Sequence, residues 1–480
     1  MQSIISFILD GKKVELDFAN SPGITPTSTV LNYLRSLPAH KGVKEGCAEG
    51  DCGACTVVFG ELIDDRIHYN AVDSCLIFLP MMHGKQLITV ENLKTPEGEL
   101  HPVQQSMIEM YGSQCGYCTP GIIMSIFALY KNYSHPTRQQ IDDALTGNLC
   151  RCTGYRPIVD AAAKSCVHNC VDHFMYDEPG TIEMLNSISK ESIHIQTDRQ
   201  KYFRPASLGE AISLKHLHPE AVILGGATDT ALRVAKNHEL LKEIIDLSGV
   251  EETREITETE SAIAIGAGVR LNDIIQKIEK DFPALHEMLS VFGSYQIRNL
   301  ATLGGNLGSA SPIGDALPVL AAHGAKVVLE SLNGRREVEL DKYIVGYRKT
   351  VRKPDELITS IIIPRTMNGA IVKSYKVSKR KDLDISTVSA GFRLTLEDNR
   401  VKTAILAYGG MAERMKRSAS TEQFLIGKQW DRKTIEGAME CVDTDFSPIS
   451  DARGSAEFRK VAARNLIMKF WLETKGVQQA

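Results

Sequence analysis

No apolar run in this 480-residue chain approaches the ~20 residues that a membrane-spanning helix needs, so the sequence offers no anchor of that kind. Neither sign of charge dominates: 55 Lys and Arg stand against 59 Asp and Glu, a net charge of −4 with a pI near 6.4. That balance gives no reason to expect nucleic acid or an anionic membrane as partner. The start, Ser3 to Lys13, lacks the basic residues and small-residue cleavage site of a signal peptide. Its alternation around Asp10-Gly11 predicts instead a β-hairpin with a type I′ turn. Also missing is any general base, nucleophile or metal-activated water that would make the chain a hydrolase or hydroxylase by itself. The length suits three or four domains.

What the chain does have is cysteine. Eight of its eleven cysteines fall within the first 152 residues, in two tight patterns. Cys47-x4-Cys52-x2-Cys55, with Cys75 beyond, has the spacing of plant-type [2Fe–2S] sites. The glycines of the loop Lys44 to Cys55 permit positive φ and close backbone approach, so N–H groups can point at sulfur. Zinc also takes four cysteines, but usually as two pairs rather than a triplet and a single. Two four-thiolate sites point to two metal clusters and one-electron chemistry. Reduced thiolates without an export signal place the protein in the cytoplasm.

The second pattern, Cys115-x2-Cys118 with Cys150-x-Cys152, fits a cluster, a zinc site or, in an oxidising compartment, a disulfide framework. Its setting is helical. Val103, Met107, Met110 and Tyr111 recur at helical spacing after Pro102, and Gly121 to Lys131 is a second apolar helix. Thr137-x-x-Gln140 forms a capping box for a third, which Gly147 ends. Pro157 suits the first turn of a fourth, running to about His168. Such a bundle buries one cofactor among helix ends. Cys166, Cys170 and Cys441 read as ordinary, with a metal or redox role open for the first two. From about Asn169 to Lys201 the pattern weakens, through Asp177-Glu178-Pro179-Gly180, and reads as a linker.

Further on, Ala221 to Thr230 reads as a buried strand, a glycine turn at Gly225-Gly226 and a helix starting near Ala231. Backbone N–H groups in such a turn can cradle a pyrophosphate. The turn is not Gly-x-Gly-x-x-Gly, so a Rossmann reading gains nothing. A second element, Thr302-Leu303-Gly304-Gly305-Asn306, precedes Ser311-Pro312-Ile313-Gly314-Asp315, and the two together favour a nucleotide site. Alternation over residues 370–377 and 387–394 predicts strands, and residues 434–441 and 455–474 read as helices.

The strings "EGCAEGDCGACTV" and "QCGYCTPG…GNLCRCTGYRP" resemble the iron–sulfur part of the xanthine dehydrogenase/aldehyde oxidase family of molybdenum hydroxylases. "FGSYQIRNLATLGGNLGSASPIGDALP" resembles the same family's flavin domain, so the likeness covers nearly the whole chain. It implies a multidomain α+β fold. A β-grasp plant-type ferredoxin domain would take residues 1–90, a four-helix [2Fe–2S] domain 91–170, and a linker 171–200. A PCMH-type FAD-binding domain would follow at 201–368, and an α+β CO-dehydrogenase-flavoprotein-like domain at 369–480. The resemblance also implies the ligands. Cys47, Cys52, Cys55 and Cys75 would hold one cluster, and Cys115, Cys118, Cys150 and Cys152 the other. Where the family more often has Phe, this chain has Tyr117.

For FAD, the turn from Ile223 through Leu224, Gly225, Gly226, Ala227, Thr228 and Asp229 to Thr230 matches the family's pyrophosphate wrap. Phe292 matches the adenine-packing position, and Thr302, Gly305, Asn306, Ser311 and Asp315 match positions lining the dinucleotide. Ile358 and Lys376 fall where the family contacts the flavin end. Gly346 to Thr350 resembles the stretch where nicotinamide docks, with Tyr347 placed to stack on it and basic neighbours to meet phosphates. The expectation is the small iron–sulfur/FAD subunit of a split bacterial-type member, because the chain stops at Ala480 where single-chain members continue into a molybdopterin domain. Electrons from hypoxanthine or xanthine oxidised at a partner's molybdopterin would pass through the two clusters to FAD and NAD+, within an (αβ)2 heterotetramer. Oxygen or a ferredoxin as acceptor, an aldehyde, nicotinate or other N-heterocycle as substrate, and a zinc- and nucleotide-binding assembly module are the alternatives.

Overall fold

The computed structural model describes residues 3–95, 97–167, 171–365 and 369–476. These fall into two compact units. One comprises Met1–Leu214, Glu220–Glu251 and Ser294–Ala301; the other comprises Lys215–Pro219, Glu252–Gly293 and Thr302–Ala480.

The first unit opens with the expected hairpin. β1 (Ile4–Leu9) pairs antiparallel with β2 (Lys12–Asp17), and Asp10 and Gly11 both take positive φ, 53° and 69°, as a type I′ turn requires. β3 (Thr56–Ile63), β4 (Arg66–Asp73) and β5 (Gln86–Ile88) complete a sheet ordered β2-β1-β5-β3-β4, in which β5 runs parallel to β1. Helix α1 (Val30–Ser36), capped by Thr29, buries Val30, Leu31 and Leu34 beneath it. This is the β-grasp arrangement.

Four helices follow: α2 (Pro102–Glu109), α3 (Thr119–Asn132), α4 (Arg138–Leu145) and α5 (Arg156–Ser165). Proline stands in the first turn of α2, α3 and α5, where its missing N–H costs nothing. Thr137 and Gln140 form the capping box expected for α4. Helix α3 is buried nearly all round and forms the axis of a core that also holds Val103, Met107, Ile141 and Ile158.

Two expectations need correction. The segment read as a linker, 171–200, folds: α6 runs His173–Asn186 with Pro179 inside it, and Ile193–Gln196 forms strand β6. Pro179 is tolerated because it and Met175, whose carbonyl it leaves without an amide, both lie on the exposed face. Gly147 does not end α4 through a left-handed conformation. The helix stops at Leu145 with Thr146 as its cap, and Gly147 is a point of close packing described below.

Strands β6, β7 (Lys201–Arg204), β8 (Val222–Leu224) and β9 (Glu243–Asp246) form a sheet ordered β6-β7-β9-β8, parallel at β7-β9-β8. Its residues Tyr202, Leu224 and Ile244, with Ala227 of the turn after β8, share one core with Phe7, Leu34, Leu76 and Leu300. The boundary expected at 200/201 therefore does not separate compact bodies.

The second unit holds a five-stranded antiparallel sheet, with Ile256–Glu258, Ala262–Gly266, Leu357–Pro364, Lys326–Ser331 and Gly334–Glu339 in that order. A four-stranded sheet contains Ala370–Val377, Val388–Glu397, Arg400–Gly409 and Lys416–Arg417, and helices Arg432–Asp445 and Ala456–Thr474 cover its buried face. No helix among the described residues is long and apolar enough to cross a membrane.

Candidate metal and flavin sites

The eight thiols gather into two sets, and within each set they pair. Cys47 bonds to Cys52 and Cys55 to Cys75, with the Cys47 charge felt by both members of the second pair. Cys118 bonds to Cys150 and Cys115 to Cys152, with Cys115 and Cys150 each felt by the other pair. No three potential ligands among the described residues converge on a single-ion position. Two pairs side by side suit a binuclear [2Fe–2S] centre held by four thiolates. The four-thiolate donor sets fit such centres.

The surroundings prepare thiolate. The hydrogen bond from Cys52, helped by the Glu49 and Asp51 amides 3.4 and 3.3 Å from its sulfur, pulls the Cys47 thiol down to about 5. Its partner Cys52 is raised by the same bond. A hydrogen bond from Cys75 likewise lowers Cys55, which is buried beside Asp73. Asp73 is fully buried, and desolvation together with the neighbouring sulfur charge raises its pKa far above the carboxylate range. In the other set burial pushes Cys118 up to about 12. Burial opposes ionisation of Cys150 as well, but hydrogen bonds from Thr153 overcome it and lower the thiol. Cys55, Cys75 and Cys150 are buried, Cys47, Cys52 and Cys118 half-buried, and Cys115 and Cys152 exposed. Of the remaining cysteines, Cys166 is buried at the end of α5 and Cys441 bonds to the Gly437 carbonyl. Cys170 lies outside the described residues.

The glycine turn lies in the first unit. Ile223 and Leu224 end β8, Ala227 has φ 60°, and helix Thr230–Ala235 begins after Asp229. A Cβ at Gly226 would stand 1.7 Å from the Leu300 carbonyl oxygen, so only glycine fits there. The same helix packs on the short Ser74–Leu76 turn that carries Cys75. Gly225 and Thr228 are half-buried, leaving backbone in the turn within reach of a ligand.

In the second unit, Thr302 caps the helix Leu303–Ser309 by accepting from the Gly305 amide at 3.0 Å. The second glycine element of the sequence thus forms the start of a helix. Lys376 Nζ donates to Asp315 Oδ2 at 2.8 Å and to the carbonyl of Val291, next to Phe292, at 2.9 Å. Ile358 approaches Gly308 of the Thr302-capped helix, and the Ser311 hydroxyl accepts from the Ile313 amide. Asn306 Oδ1 and Asp315 Oδ1 are buried acceptors with no donor among the described residues. Buried polar atoms are rarely left so. A dinucleotide bearing hydroxyl and ring N–H donors matches that need. Tyr347 sits 62% exposed at the tip of the hairpin formed by Ile344–Gly346 and Lys349–Thr350.

Comparison with known proteins agrees with this architecture. Residues 89–163 match the [2Fe-2S] binding domain model, residues 195–366 the FAD binding domain in molybdopterin dehydrogenase, and residues 373–474 the CO dehydrogenase flavoprotein C-terminal domain. The chain belongs to the molybdenum hydroxylase family and corresponds to its iron–sulfur/FAD part. Among its relatives, xanthine dehydrogenase of Emericella nidulans is 34% identical over 97% of this chain and 38% of its own length. Xanthine dehydrogenase/oxidase of Gallus gallus is 32% identical over 97% and 40%. The chain thus spans about two fifths of the curated relatives it matches. Among solved structures, quinoline 2-oxidoreductase from Pseudomonas putida 86 superposes with a TM-score of 0.54 at 26% identity, covering 58% of this chain and 98% of that one. Carbon monoxide dehydrogenase from Hydrogenophaga pseudoflava gives 0.54 at 25%, covering 57% and 96%.

Proposed function

We propose that this chain is the electron-transfer part of a xanthine dehydrogenase, carrying electrons from a molybdopterin-binding partner subunit to NAD+. When bound, two [2Fe–2S] clusters and FAD supply the one- and two-electron carriage between purine oxidation and the nicotinamide. The observation that carries the reading is the gathering of all eight thiols into two sets of four neighbours, in a chain that matches [2Fe-2S] and FAD binding domain models. Cys47, Cys52, Cys55 and Cys75 would hold one cluster, and Cys115, Cys118, Cys150 and Cys152 the other.

The chain's own contribution is to fix distance and environment. Backbone amides at Glu49 and Asp51 hold the Cys47 sulfur as thiolate, burial of Cys55 and Cys75 excludes water, and the Gly226 turn admits pyrophosphate. Tyr347, with Arg348 and Lys349 beside it, is placed for nicotinamide stacking and phosphate contact. Purine specificity is supported by the 34% likeness to a xanthine dehydrogenase over 97% of the chain, against 25–26% over less than three fifths for the carbon monoxide and quinoline enzymes. The setting is cytoplasmic, and the assembly an (αβ)2 heterotetramer.

Purifying the chain with whatever it binds, then assaying xanthine, aldehydes, nicotinate and quinoline with NAD+, tests the proposal. We expect a brown protein with about four iron per FAD and NADH formed from xanthine. A colourless, zinc-loaded preparation would sink the relay, and turnover of another substrate alone would sink the purine assignment.

A further inference from the structure

Three glycines converge where the two thiol loops meet. Gly53, between Cys52 and Cys55, has φ +67°, and a Cβ there would stand 2.3 Å from the Gly147 carbonyl oxygen. A Cβ at Gly121, three residues past Cys118, would stand 2.0 Å from the Gly53 carbonyl oxygen. One at Gly147, three residues before Cys150, would stand 2.2 Å from Gln296 Oε1. Backbone therefore touches backbone. At this contact the Leu149 amide donates to the Cys52 carbonyl at 3.0 Å. A single hydrogen bond separates a residue of the first thiol set from the neighbour of Cys150.

Asn148 holds the contact in place. Its Nδ2 donates to the Gly53 carbonyl at 3.2 Å and to Thr56 Oγ1 at 3.3 Å. Its Oδ1 accepts from Ser125 Oγ at 2.6 Å and Gln296 Nε2 at 3.0 Å. Gln296 Nε2 also reaches Ser125 Oγ at 2.8 Å and the Ala144 carbonyl at 3.0 Å. Asn148, Ser125 and Gln296 are 3%, 1% and 0% exposed. Burying polar side chains is costly unless they are paired. Asn148 and Ser125 are paired by these bonds, and Gln296 Oε1 has no partner among the described residues. The bonds that are made fix one arrangement of the loops they touch. No hydrogen bond of this network goes to a thiol. It spans the two loops rather than shaping either set.

We propose that Asn148, locked by Ser125 and Gln296, is a positioning residue that sets the separation of the two thiol sets, and that the Cys52 carbonyl to Leu149 amide hydrogen bond carries electrons between them. The inference rests on reading both sets as [2Fe–2S] sites. A single electron would pass between the clusters that the two thiol sets would hold, with no bond broken and no proton moved.

The test uses the full chain with Asn148→Ala, its iron and flavin content measured first. Stepwise reduction followed by paramagnetic resonance gives each cluster's line shape and midpoint, and rapid-freeze reduction gives the rate of exchange between them. Expected are native line shapes and midpoints, weakened magnetic coupling between the clusters, and exchange slowed by roughly 10- to 100-fold, the range seen when a group orienting metal ligands is lost. Exchange at the native rate with both clusters present would overturn the inference. If Asn148→Ala fails to assemble, Ser125→Ala removes one bond to Asn148 away from both loops and must slow exchange in the same direction; a native rate there overturns it equally. Absence of two cluster signals in the unaltered chain would instead mark failure of the iron–sulfur reading itself.

Discussion

His83 is a buried ring with a defined task. Its Nδ1 accepts from the Ser6 amide at 3.1 Å and its Nε2–H donates to the Ser189 carbonyl at 2.8 Å, which fixes the neutral tautomer. Burial lowers its pKa from 6.5 to about 4. Between those values the unfolded chain binds the extra proton and the folded chain does not, so stability is full above about 6.5 and declines as pH falls toward 4. Chemical denaturation at pH 7 and pH 5 should show this loss, and His83→Gln should flatten it. At Gly226 the effect is local: Gly226→Ala puts a methyl 1.7 Å from the Leu300 carbonyl oxygen, and flavin content should fall while iron content holds. The turn itself was legible from sequence as a glycine pair after an apolar strand. Its contact with Leu300 was not, because nothing in the spacing of residues 226 and 300 marks them as neighbours.

At the scale of elements, local signals served where they were local. The Asp10-Gly11 turn, the Thr137 capping box and the proline-led helices all follow from chemistry within four residues of the boundary. Helix α6 was missed because Pro179-Gly180 reads as a turn, while its stability comes from afar. Its cap Asp172 accepts from the Met175 amide at 3.0 Å, and the same carboxylate takes His101 Nε2 at 3.0 Å and Lys131 Nζ at 2.9 Å. These three side chains are at most 7% exposed. Asp172→Ala leaves Lys131 charged and buried without its partner, so stability should drop by about 3–5 kcal/mol. Asp172→Asn keeps a capping oxygen and should cost less. Guanidinium unfolding followed by circular dichroism separates the two, and equal losses would mean that the ion pair, not the cap, dominates.

Across the whole molecule, the order of chemistries along the chain was plain in the cysteine and glycine patterns, but the division into compact units was not. A core running from Ile5 to Leu300 leaves no periodic trace, since its members pair strands far apart in sequence. That long-range closure gives the relay its direction in our reading, because the helix of the glycine turn packs on the turn that carries Cys75. Two thiols of the helical bundle, Cys115 and Cys152, face solvent. Electrons would then enter at the exposed set and leave from the set beside the flavin turn. Cys115→Ser should cut substrate-to-NAD+ activity by at least about tenfold. It should leave NADH-to-dye activity near native, since that reaction needs only the flavin side. Loss of both activities in a protein that retains FAD would place the helical set elsewhere in the sequence of transfers.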